Sequence, residues 1–97
     1  MFARVTIATS LPGKSDEVLR IERDSIVPAC KTQKGFKGLY LLHDPKTQKG
    51  MTITLWETAA DMRAAELSGF YQQQVAQVKD VIAAPPVREE YEVSLAP

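Results

Sequence analysis

Six aromatic side chains are the residues of this sequence best suited to bind a small molecule: Phe36, Tyr40, Trp56, Phe70, Tyr71 and Tyr91. Trp56 ends a predicted strand and leads into a predicted helix, so we expect its indole at the mouth of the space between a sheet and its helices. An indole there can line an apolar pocket and donate one hydrogen bond. Tyr71 follows a predicted helix break and is placed to close the same pocket. For both residues the alternative is ordinary core packing.

We therefore predict that a small apolar or aromatic ligand is bound by Trp56, Tyr40, Phe36, Tyr71 and Phe70. The candidate catalytic residues are Trp56, Tyr71 and His43, and Tyr40 is a further candidate for proton transfer. His43 is the only histidine in the chain. The alternative interpretation is that it lies at the end of a strand and has no chemical role.

Other chemistries have little support in the residues. The single cysteine, Cys30, has no spacing that pairs it with His43 as metal ligands. The neighbouring acids Glu89 and Glu90 point to opposite faces of a strand and cannot share a site. There is neither a glycine-rich phosphate loop nor a nucleophile-elbow sequence. We accordingly expect no cofactor and no metal.

Composition narrows the class of protein further. The chain has 97 residues, with 12 Lys and Arg against 12 Asp and Glu, so its formal net charge is zero. A neutral chain has no general attraction to nucleic acid or anionic lipid. No apolar run reaches the ~18 residues of a membrane span, and the N-terminus does not resemble a signal peptide. One cysteine fits a reducing compartment, so we expect a cytoplasmic protein.

Alternating apolar residues predict four strands. They cover Met1 to Thr9, Phe36 to His43, Met51 to Trp56 and Val87 to Leu95. In the second strand we expect Phe36, Gly38, Tyr40 and Leu42 on one face. The loop from Asp44 to Gly50 joins the second and third strands as a hairpin.

Two helical segments lie between these strands. The first begins with Ser15 as a predicted N-cap, carries Leu19, Ile26, Val27 and Cys30 on one stripe, and is kinked or ended by Pro28. The second begins at Thr58 with Asp61 three residues on, as in a capping box. Ser68-Gly69 divides it, and its second half continues through Ile82 to Ala83-Ala84-Pro85-Pro86.

The order β-α-β-β-α-β predicts a ferredoxin-like α+β fold over residues 1–97 as one domain, with a four-stranded antiparallel sheet and helices on one face. The other face is apolar at Tyr40 and Leu42 and is bare in a single copy. We therefore expect a homodimer in which two open sheet faces meet as a dimeric α+β barrel.

With these elements in place, the chain resembles the antibiotic biosynthesis monooxygenase (ABM) domain family. The resemblance lies in Gly35-Phe36-Lys37-Gly38, in Ile53-Thr54-Leu55-Trp56-Glu57-Thr58, in Asp61-Met62-Arg63-Ala64, in Ser68-Gly69-Phe70 and in the strand from Pro86 to Val93. It spans essentially the whole chain and implies a dimeric α+β barrel. Members of the family oxidise polycyclic phenols to quinones without metal or flavin, and others open haem.

The family's functional residues match this chain only in part. The tryptophan of the quinone-forming type corresponds to Trp56, whereas its asparagine, tyrosine and arginine fall on Thr52, on Met62 and near Ala76. In the haem-opening type a tryptophan and a histidine fall on Ala65 and Val75, and the chain has no asparagine at all. The resemblance thus implies a cofactor-independent monooxygenase of a small aromatic or quinone-like compound and disfavours haem degradation. The alternatives are a non-catalytic dimeric module that binds a small ligand and another reaction on the same fold.

Overall fold

A computed structural model describes residues 1–97. Its four strands are β1 (Phe2–Thr9), β2 (Phe36–His43), β3 (Lys49–Trp56) and β4 (Val87–Glu92). They form one antiparallel sheet in the order β2-β3-β1-β4. The predicted fold class is confirmed. The last strand ends three residues early because Glu92 pairs with Phe2 and the next amide bonds to the Met1 carbonyl, beyond which β1 offers no partner.

The first helical segment has three parts: α1 (Ser15–Ile21), a π-helical turn (Glu22–Ile26) and α2 (Val27–Cys30). Pro28 was predicted to kink or to end the helix, and of these two alternatives the end is wrong, since the helix continues to Cys30. Pro28 lies in the first turn of α2, directly after the widened π turn. Because that turn shifts the helical phase, Ile26 and Cys30 are buried but Leu19 is half exposed.

Ser15 does not cap α1. It is the first helical residue, the preceding residue makes no side-chain cap, and the Ser15 hydroxyl bonds instead to His43 and Gln48. The prediction of a serine cap is therefore wrong.

The second helical segment is divided as predicted into α3 (Ala59–Leu67) and α4 (Phe70–Val78). The Thr58 hydroxyl caps α3 by accepting a hydrogen bond from the Asp61 amide at 3.0 Å. Gly69, at φ 84°, turns the chain between the two helices. However, α4 ends at Val78 and not beyond Ile82, because Ile82 forms an isolated β-bridge with Ser10.

The two faces of the sheet differ in chemistry. We call the face beneath the helices the inner face and the opposite one the outer face. Strand alternation places Arg4, Thr6, Thr52, Thr54 and Trp56 on the inner face. The outer face is largely apolar and carries Val5, Ile7, Tyr40, Leu42, Ile53 and Val87.

A β-bulge corrects the predicted faces of β2. The register with β3 shifts between Phe36 and Gly38, so Phe36 pairs with Trp56 while Gly38 pairs with Leu55. Phe36 consequently packs on Trp56, whereas Tyr40 stays on the outer face. The prediction that Phe36 and Tyr40 share a face is wrong.

The buried apolar cluster lies at one end of the inner face. Trp56, Met62 and Ala65 form it, with Phe2, Phe36 and Phe70 packed around them. No helix has the length and apolar character to cross a membrane.

Candidate functional site

A cavity of about 70 Å³ lies between the inner face and the helices. Its apolar wall includes Ile26, Leu39, Trp56, Phe70, Tyr71 and Val75. Its polar wall comprises an arginine, a glutamate, a glutamine and three threonines. An engineered closed cavity of about 150 Å³ binds benzene. The enclosed part of this cavity is therefore smaller than one aromatic ring, and a bound ring would also occupy its open side.

Glu22 places a buried carboxylate on the cavity wall. It is the first residue of the π turn and is 8% exposed. The Thr52 hydroxyl donates to Glu22 Oε1 at 3.0 Å, while Oε2 is buried without a partner. Burial raises the pKa of this carboxyl, and the hydrogen bond from Thr52 only partly opposes that effect. The carboxylate thus has a free oxygen and an increased affinity for a proton.

Arg4 is the second buried charge, at 3% exposure. One terminal nitrogen donates to the Met62 carbonyl at 2.8 Å and lies 3.3 Å from Glu66 and 3.9 Å from Glu90. Desolvation lowers its pKa and the two carboxylates oppose this, but a guanidinium stays charged in any case. Arg4 Nε is buried and has no acceptor.

Two guanidinium groups lie against the ring of Tyr71. Arg4 and Arg88 lie 4.7 and 5.2 Å from the centre of its ring. Its hydroxyl is 3.4 Å from the Thr6 hydroxyl, and Glu66 ties Arg88 into the cluster at 2.7 Å. The ring is therefore a fixed wall of the cavity.

Trp56 combines a core position with a place on the cavity wall. Its ring meets Phe36 edge to face, with centroids 5.6 Å apart and planes at 76°. Its Nε1 donates to the Thr54 hydroxyl at 2.9 Å. The indole N–H is therefore engaged by a side chain of the same strand and not by the backbone.

Cys30 also lines the cavity. It is 3% exposed, and burial raises the pKa of its thiol to about 11, with the nearby Glu22 carboxylate adding to the effect. The thiol is protonated at neutral pH and is a poor nucleophile there.

The structure brings together three of the predicted site residues, Trp56, Phe70 and Tyr71, around one cavity. Phe36 supports this group from behind Trp56. Tyr40 does not belong to it, because strand alternation turns it to the outer face, where it is 61% exposed.

His43 is also separate from the cavity. It pairs with Gly50 at the far end of β2 from Trp56, and its Nε2 lies 3.1 Å from Ser15 Oγ. The Ser15 hydroxyl also contacts the Gln48 side chain. The hypothesis that His43 acts at the same pocket as Trp56 does not fit this geometry.

Arg4, Glu22 and Thr54 were missed as site residues. A signal for Glu22 exists in the sequence, since it lies four residues before Ile26 and eight before Cys30 on the stripe that faces the sheet. For Arg4 and Thr54 the sequence has no such signal, because their alternation with Val5 and Leu55 shows that they share the opposite face but not that the helices cover it.

Comparison with known proteins identifies the architecture. No protein-family model and no curated protein sequence matches the chain. A protein from Nitrosomonas europaea named as an antibiotic biosynthesis monooxygenase superposes with a TM-score of 0.77 at 16% identity, over 98% of this chain and 100% of that one. A protein of the same name from Bordetella bronchiseptica gives 0.78 at 18% identity, over 97% of each chain. This chain has the ABM fold.

The heme-degrader MhuD from Mycobacterium tuberculosis, solved with two hemes bound in its active site, shares the ABM fold. It superposes with a TM-score of 0.79 at 18% identity, over 99% of this chain and 98% of that one. The ABM fold thus includes proteins with different names and ligands, so the residues of the cavity must decide the function.

Proposed function

We propose that this protein is a cofactor-independent monooxygenase that acts on a small phenol or hydroquinone with a single aromatic ring. The observation that carries the proposal is the Glu22 carboxylate, which is buried in the wall of an aromatic-lined cavity and keeps one oxygen without a partner. A carboxylate of raised pKa is suited to take a proton from a phenolic hydroxyl and to return it later.

The proposed reaction begins when Glu22 accepts the proton of a substrate O–H. The resulting electron-rich ring reduces molecular oxygen, and a carbon–oxygen bond forms at a ring carbon beside the phenolic carbon. The hydroperoxide takes the proton back from Glu22. Cleavage of the O–O bond with loss of the ring C–H proton then releases water. For hydroquinone the balance is one hydroquinone and one O₂ giving one hydroxy-1,4-benzoquinone and one H₂O, with oxygen as the oxidant.

Arg4 supports the anionic stages of this scheme. Its guanidinium lines the same cavity and has a buried N–H without an acceptor. A fixed, buried cation stabilises a phenolate more strongly than the same charge in bulk water does. The apolar wall of Trp56, Phe70 and Tyr71 holds the ring by stacking and burial.

Haem fits this cavity poorly. No histidine lines it, and a volume of about 70 Å³ is far below the size of a porphyrin. Val75, on which the histidine of the haem-opening type falls, is one of the lining residues. The dimensions favour one ring over a polycyclic substrate as well.

Oxygen consumption tests the proposal. We expect the protein to accelerate O₂ uptake with hydroquinone above a boiled control, and Glu22→Gln to lower kcat by about 10²-fold or more. Glu17→Gln, on the exposed side of α1, is the matched control and should keep the rate. Uptake equal to the boiled sample, or full activity in Glu22→Gln, refutes the proposal. Phenol binding without oxygen uptake would support a non-catalytic ligand-binding module in its place.

We also propose that two copies pair through their outer faces. This face has half-exposed apolar side chains, among them Tyr40, Leu42 and Val87, and exposed apolar patches of this kind mark interfaces. Tyr40→Glu should yield a species near the 10.8 kDa formula mass in sedimentation. Leu67→Glu, which alters an 89% exposed leucine on α3, should leave the dimer intact. A wild-type protein that sediments as a monomer at micromolar concentration contradicts the pairing.

A further inference from the structure

Helix α4 forms one side of the cavity without itself being buried. Several of its side chains line the cavity, namely Phe70, Tyr71, Gln74, Val75 and Val78. No residue of α4 is buried, whereas the π turn and α2, which form the other helical wall, bury Ile26 and Cys30. Local stability follows the amount of buried packing, so α4 should open at a lower free energy than the other helical wall.

Helix α4 also lacks the local features that stabilise a short helix. Its N-cap is Gly69, which has no side chain to cap the first turn, and it has neither an acidic residue in the first turn nor a basic residue in the last. Helix α3 has the same length of nine residues but is capped by Thr58 and carries Asp61 in its first turn. A helix as short as α4 depends on packing for its stability, and little of α4 is packed.

The chain is free to turn at one end of α4 and is anchored beyond the other. Gly69 has a φ of 84°, and a Cβ at this position would meet no atom within 4 Å. After α4, the Leu11 amide donates to the Val81 carbonyl at 2.9 Å and the Ala83 amide donates to the Thr9 carbonyl at 2.8 Å. The segment between Gly69 and Val81 can therefore move while β1 stays in place.

One side chain of α4 makes the charged contacts that hold the helix on the sheet. Arg4 and Arg88 lie 4.7 and 5.2 Å from the centre of the Tyr71 ring. Arg88 is itself paired with Glu66 at 2.7 Å, is 42% exposed and does not line the cavity. In the closed form these contacts fix the Tyr71 ring, and the contact with Arg88 can be removed without changing the cavity wall.

We propose that α4 is a lid that opens about Gly69 to admit a ring-sized compound, and that Tyr71 is the latch that holds it closed against Arg4 and Arg88. The enclosed volume of about 70 Å³ is too small for one ring, so a ring enters fully only when a wall moves. The inference concerns access to the cavity. It goes beyond the proposed reaction and does not depend on oxygen chemistry.

Cys30 can report the opening, because it is the only cysteine in the chain, lines the cavity and is 3% exposed. The probes are two disulfide-forming reagents of different size, methyl methanethiosulfonate and the aromatic 4,4′-dithiodipyridine. The protection factor of each is its labelling rate in urea-unfolded protein divided by its rate in native protein. A lid that opens as a unit gives both reagents the same protection factor. Stronger protection against the aromatic reagent indicates a fixed channel past a closed helix and overturns the lid.

Amide hydrogen exchange identifies the element that moves. We expect peptides from α4 to exchange faster than peptides from α3 and β1, at a rate that low concentrations of urea do not change, because a local opening exposes little surface. Exchange of α4 at the same rate as α3 and β1 means that α4 opens only by global unfolding, and this result also overturns the lid.

Two variants test the latch. Arg88→Met removes one cation–π contact and should lower the protection of Cys30, and speed the exchange of α4, by about 2- to 5-fold. Tyr71→Leu removes both contacts and should have a larger effect. Arg20→Met, the same substitution at a 57% exposed arginine of α1, is the control and should change neither rate.

The outcomes separate the latch from overall stability and from the proposed reaction. Wild-type protection of Cys30 in both Arg88→Met and Tyr71→Leu overturns the latch. An equal acceleration of exchange in α3, β1 and α4 shows a loss of overall stability and overturns it as well. None of these measurements uses a phenol or oxygen. Failure of the lid therefore leaves the monooxygenase proposal standing, and absence of oxygen uptake leaves the lid standing.

Discussion

Neutralising Glu22 should stabilise the folded protein at neutral pH while it removes activity. The carboxylate is 8% exposed, accepts one hydrogen bond from Thr52, and has a second oxygen without a partner. A buried polar atom without a partner costs about 1–3 kcal/mol, and more when it is charged. In Glu22→Gln the Thr52 bond can persist while the charge is gone. We expect a gain of about 1 kcal/mol, which for a chain of this length corresponds to a Tm higher by about 4–8 °C.

The gain should depend on pH in a definite direction. Burial raises the pKa of Glu22 above its ordinary value of 4.5. A group whose pKa is higher in the folded state contributes stability below its unfolded pKa and loses that contribution as the pH rises through the folded pKa. Wild-type protein should therefore lose stability relative to Glu22→Gln from about pH 4.5 upward, until the raised pKa is passed.

Thermal and urea unfolding between pH 4 and pH 8, at equal protein concentration, measure this difference. Glu17→Gln serves as the control, because Glu17 is a surface carboxylate of the same helical segment whose ion pairs with Lys14 and Arg20 are solvent-exposed, so its loss should change stability by no more than about 1 kcal/mol. Parallel pH profiles for wild type and Glu22→Gln would show that Glu22 is not a buried carboxylate, and the proton acceptor in the proposed reaction would be lost with it.

Two further predictions concern other parts of the cavity and its frame. The pKa of Cys30 is raised to about 11 from 9.0, so its thiol should have about a hundredfold less thiolate at pH 7.5 than an ordinary thiol. A disulfide reagent should therefore label native protein at least a hundredfold more slowly than unfolded protein. Equal labelling rates would contradict the burial of Cys30. Gly35→Ala should lower the Tm by about 5 °C or more, because Gly35 has φ +79° and a Cβ there would overlap the Asp61 side chain. Gly13→Ala, at φ +76° with open space around it, measures the backbone strain alone, and an equal loss in both variants would exclude the overlap.

Periodicity was sufficient to predict the sheet and the divided second helical segment. Strands with β-branched residues at alternate positions, Thr58 as a cap and Gly69 at a positive φ are local features, and each is present in the structure. The errors arose where a distant partner decides the outcome. Whether α4 continues to Ile82 depends on the bridge to Ser10, which no local propensity encodes.

The candidate site was harder to predict than the fold because alternation identifies two faces of a strand but not which face the helices cover. Alternation places Val5, Ile7 and Ile53 on one face of the sheet and Arg4, Thr6 and Thr54 on the other. The structure shows that the helices cover the face with Arg4, Thr6 and Thr54. One inserted residue in β2 likewise moved Phe36 to the inner face and left Tyr40 on the outer one.

The difference between the two faces of the sheet connects the site to the proposed assembly. A chain selected for the stability of a single copy would bury its most apolar sheet face under its helices, since that burial is the main favourable term in folding. Here the helices enclose Arg4 and Glu22, whose desolvation is costly, and the apolar face is left uncovered. The desolvation of these two charges and the exposure of the apolar face both destabilise the isolated protomer. Pairing through the outer face would recover apolar burial outside the cavity, so that the inner face can keep charged and polar groups where a ligand can meet them.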